Sequence, residues 1–258
     1  TLDSFSDGGK FTTLDFSSAH ALQMINEGAD LIDIGGQSTR PGAVEISAEE
    51  EIRRILPVIK YLRKKAPEKI LSVDTSKAEV AEIALKEGVA VINDVSGGQG
   101  KALLEVVSKY DAGLIIMHKK GSPESMQLNP SYEDVVGEIK AYLTHMCDLA
   151  YSAGVSKDKL VVDPGIGFGK LLEHNMAILN ALTEFSEIGY PVMIGTSRKR
   201  SLQEICGTGT PSQLEGATCA TTALGVQSGA KIFRVHDVKA NRQAADVAWA
   251  VLNYELGK

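Results

Sequence analysis

Three residues with a carboxylate or an amide side chain follow short, mostly apolar runs of the chain. Asp74 follows residues 70–73, Asn93 follows residues 91–92, and Asp163 follows residues 160–162. If these side chains converge on a dry site, they suit a ligand edge with several N–H donors and one acceptor, such as a guanidine-like heterocycle. Lys199 could donate to a ring carbonyl of the same ligand. Each Asp, and Asp33 with them, could instead cap a helix or brace a loop.

A second group of residues suits an anion rather than a heterocycle. It consists of Thr39, Arg40, Arg234 and His236. The spacing of Arg234 and His236 predicts that both side chains lie on one face of a strand, because side chains alternate along a strand. An anion held by such residues would most naturally be a phosphate or a pyrophosphate. His236 taken alone could equally be a packed histidine.

The chain shows none of the patterns typical of a protein nucleophile or a nucleotide-binding loop. It has no Ser-His-Asp order, no HExxH, no GxSxG and no Cys–His arrangement. Residues 165–170 read GIGFGK, but Pro164 replaces the first Gly of a Walker A loop and Leu171 replaces its Ser or Thr. We therefore expect chemistry that depends on positioning a ligand and stabilising a leaving anion.

The elements that position these residues follow a recurring unit of a helical pattern, a Gly, a short apolar run and a polar residue. The unit occurs at residues 27–33, 87–93 and 228–234. Its glycines, Gly28, Gly88 and Gly229, are predicted to end their helices in the left-handed conformation. The apolar runs are predicted to be strands buried on both faces, as parallel strands are.

Seven strands and eight helices are predicted in this way. The strands end near Asp33, Asp74, Asn93, Met117, Asp163, Gly195 and Arg234, and the helical patterns cover residues 17–27, 48–66, 77–87, 101–110, 133–153, 174–187, 212–228 and 238–255. This alternation predicts an α/β fold of the (β/α)8 TIM barrel type, with a doubly wound open sheet as the alternative. In a barrel the active site lies at the carboxyl ends of the strands, where the polar residues above fall.

Composition supports a single globular domain over residues 1–258 and excludes several classes of function. Hydrophobic residues make up 43% of the chain, and 27 Lys and Arg against 33 Asp and Glu give a net charge of −6. These values exclude disorder, and the lack of a long Lys/Arg run argues against nucleic-acid binding. The apolar runs are too short to span a membrane. The three cysteines form no CxxC pair, which argues against a zinc site or a disulfide framework.

Several segments of the chain together resemble the dihydropteroate synthase family of pterin-binding barrels. They are residues 3–9, 28–42, 72–77, 92–95, 163–170, 197–199 and 234–238, which occur in family order over essentially the whole chain. The resemblance implies a transferase of the folate pathway that joins 6-hydroxymethyl-7,8-dihydropterin diphosphate to p-aminobenzoate and is blocked by sulfonamides. It also implies Mg²⁺ as cofactor, a homodimer formed through late helices, and a location in the bacterial cytoplasm or in plant mitochondria.

The resemblance further implies a role for each candidate residue. The pterin would be held by Asp74, Asn93, Asp163 and Lys199, with Met117 and Phe168 packed nearby, and the diphosphate by Thr39, Arg234 and His236. Loops that contain Phe5 and Asp7, and Thr39, Arg40 and Pro41, would close over the p-aminobenzoate pocket. The implied mechanism is dissociative: the diphosphate leaves first, and Asp74 and Asp163 stabilise a pterin methylene cation. Lys199, Arg234 and His236 complete the expected catalytic set.

The sequence departs from the family pattern at three places. The Asn that binds Mg²⁺ in the family precedes the position of Thr1 by two residues, so we expect it and the first strand upstream of this sequence. Leu2 stands where the family usually has Pro, and Arg200 stands where many members have a Ser near the p-aminobenzoate carboxylate. Two alternatives stay open: a non-catalytic pterin-binding domain, perhaps within a multifunctional folate polypeptide, and a pterin-dependent methyltransferase domain that feeds a corrinoid.

Overall fold

The computed structural model describes residues 13–38, 44–96, 100–122 and 125–254, and it shows parallel strands that alternate with helices. The strands are β1 (Leu31–Gly35), β2 (Ile70–Asp74), β3 (Val91–Asp94), β4 (Gly113–Met117), β5 (Leu160–Asp163), β6 (Met193–Ile194) and β7 (Ile232–Phe233). The α-helices are α1 (Thr13–Asn26), α2 (Ala48–Lys65), α3 (Ala78–Lys86), α4 (Lys101–Lys109), α5 (Val135–Ser152), α6 (Leu172–Asn180), α7 (Leu182–Ser186), α8 (Arg200–Cys206), α9 (Glu215–Gln227) and α10 (Val238–Leu252). None of the helices in these ranges is long and apolar enough to cross a membrane.

The described strands all run parallel and follow one another in chain order. β1 to β5 form one sheet, β6 pairs with β7, and a single bridge between Val162 and Val192 links β5 to the segment before β6. Asp33 in β1 and Arg234 just after β7 form an ion pair, so the two ends of the strand order lie side by side. The predicted α/β class with a parallel sheet is confirmed. Within the described residues, no backbone pairing joins β7 to β1.

The helix ends follow from the local sequence as predicted. Gly28, Gly88 and Gly229 have φ values of 102°, 91° and 92°, a conformation that a residue with a side chain rarely adopts. Each of these glycines comes three residues before a strand. Ser47 is the N-cap of α2, and its hydroxyl accepts a hydrogen bond from Glu50 N at 3.3 Å. The three glycines set the positions at which β1, β3 and β7 begin, and Ser47 sets the position at which α2 begins.

The carboxyl-terminal part differs from the prediction in three respects. The helical pattern at residues 174–187 is interrupted at Ala181, where α6 ends and α7 begins. β6 and β7 are only two residues long each. The predicted helices also do not include α8, which is only seven residues long, so that the spacing of Leu202, Ile205 and Cys206 is too short a pattern to identify it.

The hydrophobic core lies between the strands and the helices that surround them. The strands contribute fully buried side chains, among them Leu71, Val73, Ile92, Leu114, Ile116 and Val162. The helices contribute others, among them Ile59, Leu62, Val80, Val107, Leu143 and Phe185. Because both faces of the central strands are covered, the polar residues at the strand ends are the first groups that a ligand entering from that end can reach.

Candidate functional site

One cavity of about 1810 Å³ is lined by the strands, by the loops at both of their ends and by parts of α1, α2 and α10. Every candidate residue that the structure describes borders it, namely Asp74, Asn93, Met117, Asp163, Phe168, Lys199, Arg200, Arg234 and His236. Phe5, Asp7, Thr39, Arg40 and Pro41 lie outside the described residues. The fold therefore brings the predicted heterocycle-binding and anion-binding groups to a common site.

The register of the parallel strands sets the level of the polar groups in this cavity. Asp74 of β2 is paired with Asn93 of β3, and Met117 of β4 is paired with Asp163 of β5. Neighbouring strands lie about 4.8 Å apart, so paired residues are immediate neighbours. Asn93 is paired with Ile115 and Ile115 with Val161, so in this register Asp163 lies two residues further along its strand than Asn93 does. All three polar side chains lie in the last two residues of their strands.

The amide of Asn93 and the carboxyl group of Asp74 are able to hydrogen-bond a ligand in the cavity. Asn93 donates from Nδ2 to Asp33 Oδ2 at 3.1 Å, but its Oδ1 is buried and has no hydrogen-bond partner among the described residues. A buried acceptor without a partner is costly, so it favours a ligand that donates an N–H. Burial, and then the charge of Asp33, raises the pKa of Asp74 to about 7. Asp74 therefore changes from a donor to an acceptor near neutral pH.

Asp163 and Lys199 line another part of the wall together with the loop at residues 165–169. Asp163 Oδ1 accepts from Gly165 N at 2.7 Å, and burial raises the pKa of Asp163 although Lys199 opposes this. Lys199 Nζ donates to Ile166 O and lies 4.8 Å from the centroid of the Phe168 ring. Burial lowers the pKa of Lys199 to about 8. A carboxylate, an ammonium and an aromatic ring in this arrangement suit a flat heterocycle that carries both N–H donors and a carbonyl.

Asp33 caps no helix and instead links three strands. Its Oδ1 accepts from Ser72 Oγ at 2.5 Å, and its Oδ2 accepts from Asn93 Nδ2 and, at 2.7 Å, from Arg234 Nε. This carboxylate therefore couples the heterocycle-binding group to the anion-binding group. The sequence could have identified Asp33 as a residue of the site. It ends the recurring unit at residues 27–33, just as Asn93 ends the unit at residues 87–93.

Arg234 lies between two carboxylates. Its Nη2 is 3.5 Å from Asp74 Oδ2, and the charge of Asp33 is the main reason that the pKa of Arg234 is raised still further. The side chain is 46% exposed, so the guanidinium remains accessible to an anion. The prediction that Arg234 and His236 lie on one face of a strand is wrong. β7 ends at Phe233, and both residues lie in the loop that follows. The loop, and not a strand face, brings both side chains to the cavity.

His236 is held by the loop that follows β6. Ser197 Oγ lies 2.9 Å from His236 Nδ1 and accepts from His236 N at 3.2 Å. The neighbouring Arg198, whose φ is 58°, donates to both carboxylate oxygens of Asp237, at 2.7 and 3.3 Å. A hydroxyl and a bidentate ion pair thus join the loop of Lys199 to the loop of His236. Sequence patterns do not single out Ser197 or Arg198 for this positioning role.

Arg200 stands at the first position of α8 and borders the cavity. Its Nε lies 2.8 Å from Glu204 Oε1, one helical turn away, and its side chain is 83% exposed. An exposed pair of this kind contributes little to stability. The guanidinium is therefore able to leave Glu204 for a carboxylate at the mouth of the cavity at little cost.

A metal site is not built from the described residues alone. They contain no group of three His, Cys, Asp or Glu side chains that could hold an ion. Mg²⁺ prefers oxygen ligands, keeps several waters and is commonly held by one or two carboxylates together with substrate phosphates. The donor set present here does not by itself fit such an ion.

Comparison with known protein families places the chain among pterin-binding proteins. The family model described as "Pterin binding enzyme" matches residues 1–236. The dihydropteroate synthase of Escherichia coli K12 is 40% identical over 258 residues, which is all of this chain and 91% of that protein. The similarity therefore extends over strands, loops and late helices alike.

Solved structures of three bacterial dihydropteroate synthases have folds closely similar to that of this chain. A Clostridium difficile dihydropteroate synthase, solved in the presence of pteroic acid, has a TM-score of 0.90 and 43% identity, with 98% of this chain and 94% of that chain covered. A Xanthomonas albilineans enzyme with 4-aminobenzoic acid has a TM-score of 0.92, 42% identity and coverage of 98% and 90%. A Yersinia pestis enzyme in a sulfonamide complex has a TM-score of 0.91, 40% identity and coverage of 97% and 90%.

Proposed function

The chain belongs to the pterin-binding enzyme family, and from this we infer that it is a transferase of folate biosynthesis with dihydropteroate synthase activity. It condenses 6-hydroxymethyl-7,8-dihydropterin diphosphate with p-aminobenzoate and releases 7,8-dihydropteroate and pyrophosphate. The observation that carries this inference is the cavity in which Asp74, Asn93 and Asp163 lie beside Arg234 and His236. One substrate needs both sets of groups, because it joins a heterocycle to a diphosphate.

We propose that the pterin ring binds between the strand ends and the loop at residues 165–169. Its N–H groups donate to Asp74, to Asp163 and to the unpartnered Oδ1 of Asn93. Lys199 donates to the ring carbonyl. Two apolar side chains, Met117 and Phe168, also border the cavity and pack on the ring. This arrangement supplies a donor to Asn93 Oδ1, which has none among the described residues.

The charges around the cavity support a dissociative substitution. The bond between the pterin methylene carbon and the bridging diphosphate oxygen breaks, and the oxygen keeps the electron pair. Arg234 and His236 stabilise the negative charge that develops on the diphosphate. Ionised Asp74 and Asp163 stabilise the positive charge on the methylene group. The amine nitrogen of p-aminobenzoate then forms the new bond and loses a proton, so no protein nucleophile is required.

The proposals for Mg²⁺ and for the p-aminobenzoate pocket extend beyond the described residues. Bound Mg²⁺ would neutralise charge on a diphosphate, and the described residues do not by themselves hold it. Arg200 is proposed to face the p-aminobenzoate carboxylate, in place of the Ser common in the family. The remaining residues proposed for this pocket and for the diphosphate are Phe5, Asp7, Thr39, Arg40 and Pro41.

We also propose a homodimer and a cytoplasmic location, or a mitochondrial one in a plant. α9 and α10 pack on each other and expose large apolar side chains, namely Leu224, Val247, Trp249, Val251 and Leu252. A patch of this kind suits a self-complementary surface of a second copy. Sedimentation or light scattering of the purified protein tests this part of the proposal.

Pyrophosphate release tests the proposed activity directly. The protein is incubated with pterin diphosphate, p-aminobenzoate and Mg²⁺, and pyrophosphate and dihydropteroate are measured by chromatography; the control omits p-aminobenzoate. We expect both products in equal amounts and a loss of at least about tenfold in Lys199→Ala. Pterin binding without pyrophosphate release would favour a non-catalytic domain. Methyl transfer from a methylated pterin to a corrinoid would favour the methyltransferase alternative.

A further inference from the structure

Two buried ionisable side chains, Lys170 and His118, lie next to the substrate-facing groups, and Lys170 itself borders the cavity. They are 3% and 6% exposed, and Lys170 Nζ lies 2.9 Å from His118 Nδ1. Lys170 follows the loop at residues 165–169, and His118 directly follows β4. A buried charge is costly unless it is hydrogen-bonded, so the partners of Lys170 indicate what it does in the fold.

The amino group of Lys170 has three acceptors, all on these two segments. Besides His118 Nδ1, it donates to Phe168 O at 3.0 Å and to His118 O at 3.5 Å. Burial lowers the pKa of His118 to about 3, so its imidazole is neutral and Nδ1 can accept. Lys170 therefore ties the backbone of Phe168 to the end of β4.

The same loop rests on β4 by direct backbone contact. A Cβ atom at Gly165, where φ is 69°, would lie only 1.9 Å from His118 O. Further along, a Cβ at Gly169 would lie 2.1 Å from Lys120 O. The loop is thus held by the close approach of its glycines and by the buried side chain of Ile166, and Lys170 adds a polar link at its end.

Two groups that face the substrate depend on the position of this loop. The ring of Phe168 lies beside Lys199 Nζ, and Gly165 N donates to Asp163 Oδ1. Burial lowers the pKa of Lys170 itself to about 7, and in its protonated form Lys170 lowers the pKa of Asp163 against the effect of burial. Loss of Lys170 would therefore disturb both the ring and the carboxylate that are proposed to bind the pterin.

We propose that Lys170, held by His118, is a positioning residue for the pterin half of the site, because it keeps the Phe168 segment seated against β4. The inference rests on the proposed function and deepens it. Lys170 acts through Phe168 and Asp163, which are proposed to bind the pterin and not p-aminobenzoate. The role should therefore affect one substrate and leave the other unchanged.

Steady-state kinetics of Lys170→Met test this role. The control is Lys140→Met, which removes a surface lysine paired with Glu184 on α7. We expect Lys170→Met to raise KM for pterin diphosphate by at least about tenfold and to leave KM for p-aminobenzoate within about twofold. The control should leave both constants unchanged. Unchanged constants in Lys170→Met, or an equal rise in both, would overturn the proposal.

A double-variant cycle separates positioning from general stabilisation. If Lys170 acts through Phe168, adding Lys170→Met to Phe168→Leu raises KM for pterin diphosphate by much less than it does in the wild type. If the KM of the double variant rises by the product of the two single-variant factors, the two residues act independently and the proposal is contradicted. If Lys170→Met does not fold, His118→Phe decides the question, because it removes Nδ1 but keeps a ring against Tyr142.

The proposed function can fail separately from this inference. A wild-type protein that releases no pyrophosphate would contradict the synthase activity. In that case the fluorescence-monitored binding of pterin diphosphate to the same variants tests Lys170. Affinity weakened at least about tenfold in Lys170→Met supports the positioning role, and unchanged affinity overturns it.

Discussion

Arg234 and Asp33 join the two ends of the strand order: Arg234 Nε donates to Asp33 Oδ2 at 2.7 Å across 201 positions of the chain. The same carboxylate oxygen accepts from Asn93. One side chain therefore orients a group proposed for the departing diphosphate and a group proposed for the pterin. The distance between these two halves of the substrate site is set by Asp33.

Asp33→Asn should impair turnover more than it impairs folding. The change keeps the shape but replaces a charged acceptor, and hydrogen bonds to charged groups contribute about 1.5–3 kcal/mol. We expect kcat/KM to fall by at least about tenfold. The matched control is Asp30→Asn, which removes an exposed carboxylate that pairs with Arg242 near the same strand. Equal kinetic losses in the two variants would contradict the proposed coupling.

Arg234→Ala should slow the departure of diphosphate. We expect kcat to fall by at least about tenfold, because a cation that stabilises the leaving group acts mainly in the transition state. Arg242→Ala is the control, since its side chain is also 46% exposed and pairs with Asp30, just before β1, and with Asp246 on α10, away from the carboxyl ends of the strands. The measurement is the rate of pyrophosphate release by each of the two variants and by the wild type. Near-normal release from Arg234→Ala would exclude this role.

The pKa of Asp74 predicts an unusual dependence of stability on pH. Its folded pKa of about 7 lies above the ordinary 3.8, so the folded protein binds this proton more tightly than the unfolded chain does. Between these two values Asp74 therefore makes stability fall as pH rises. We expect Asp74→Asn to melt at a higher temperature than the wild type at about pH 8, with the difference shrinking towards about pH 4, while its turnover is lost. A lower Tm of the variant at the higher pH would show that ionised Asp74 stabilises the fold.

Gly165→Ala should weaken both the fold and pterin binding. A side chain there combines a left-handed conformation with a contact of 1.9 Å to His118 O. Together these should lower the free energy of unfolding by about 2–4 kcal/mol. Gly216→Ala is the control, because nothing lies within 4 Å of its Cβ position and it is inside α9. This change should leave stability unchanged or raise it by up to about 1 kcal/mol, as measured by urea unfolding.

Short-range features of the fold were predictable because their causes are local. Gly28, Gly88 and Gly229 end helices through their own backbone freedom, and the apolar runs become strands because they must be buried on both faces. α8 was not predicted because it is short: the apolar spacing of Leu202, Ile205 and Cys206 covers less than two helical turns. Polar residues at the ends of parallel strands also predict a site, because such strands end at a common edge.

The amino-acid types and their spacing were sufficient to determine the fold class, the location of Asp74, Asn93 and Asp163 near the carboxyl ends of strands, and the family resemblance. Only the tertiary structure decided which of these groups are bound to one another. Asp33 with Arg234, Ser197 with His236, and Lys170 with His118 are 201, 39 and 52 positions apart. Such pairs depend on the packing of distant segments and on the burial that makes an unpaired polar group costly, and neither is a property of a local pattern.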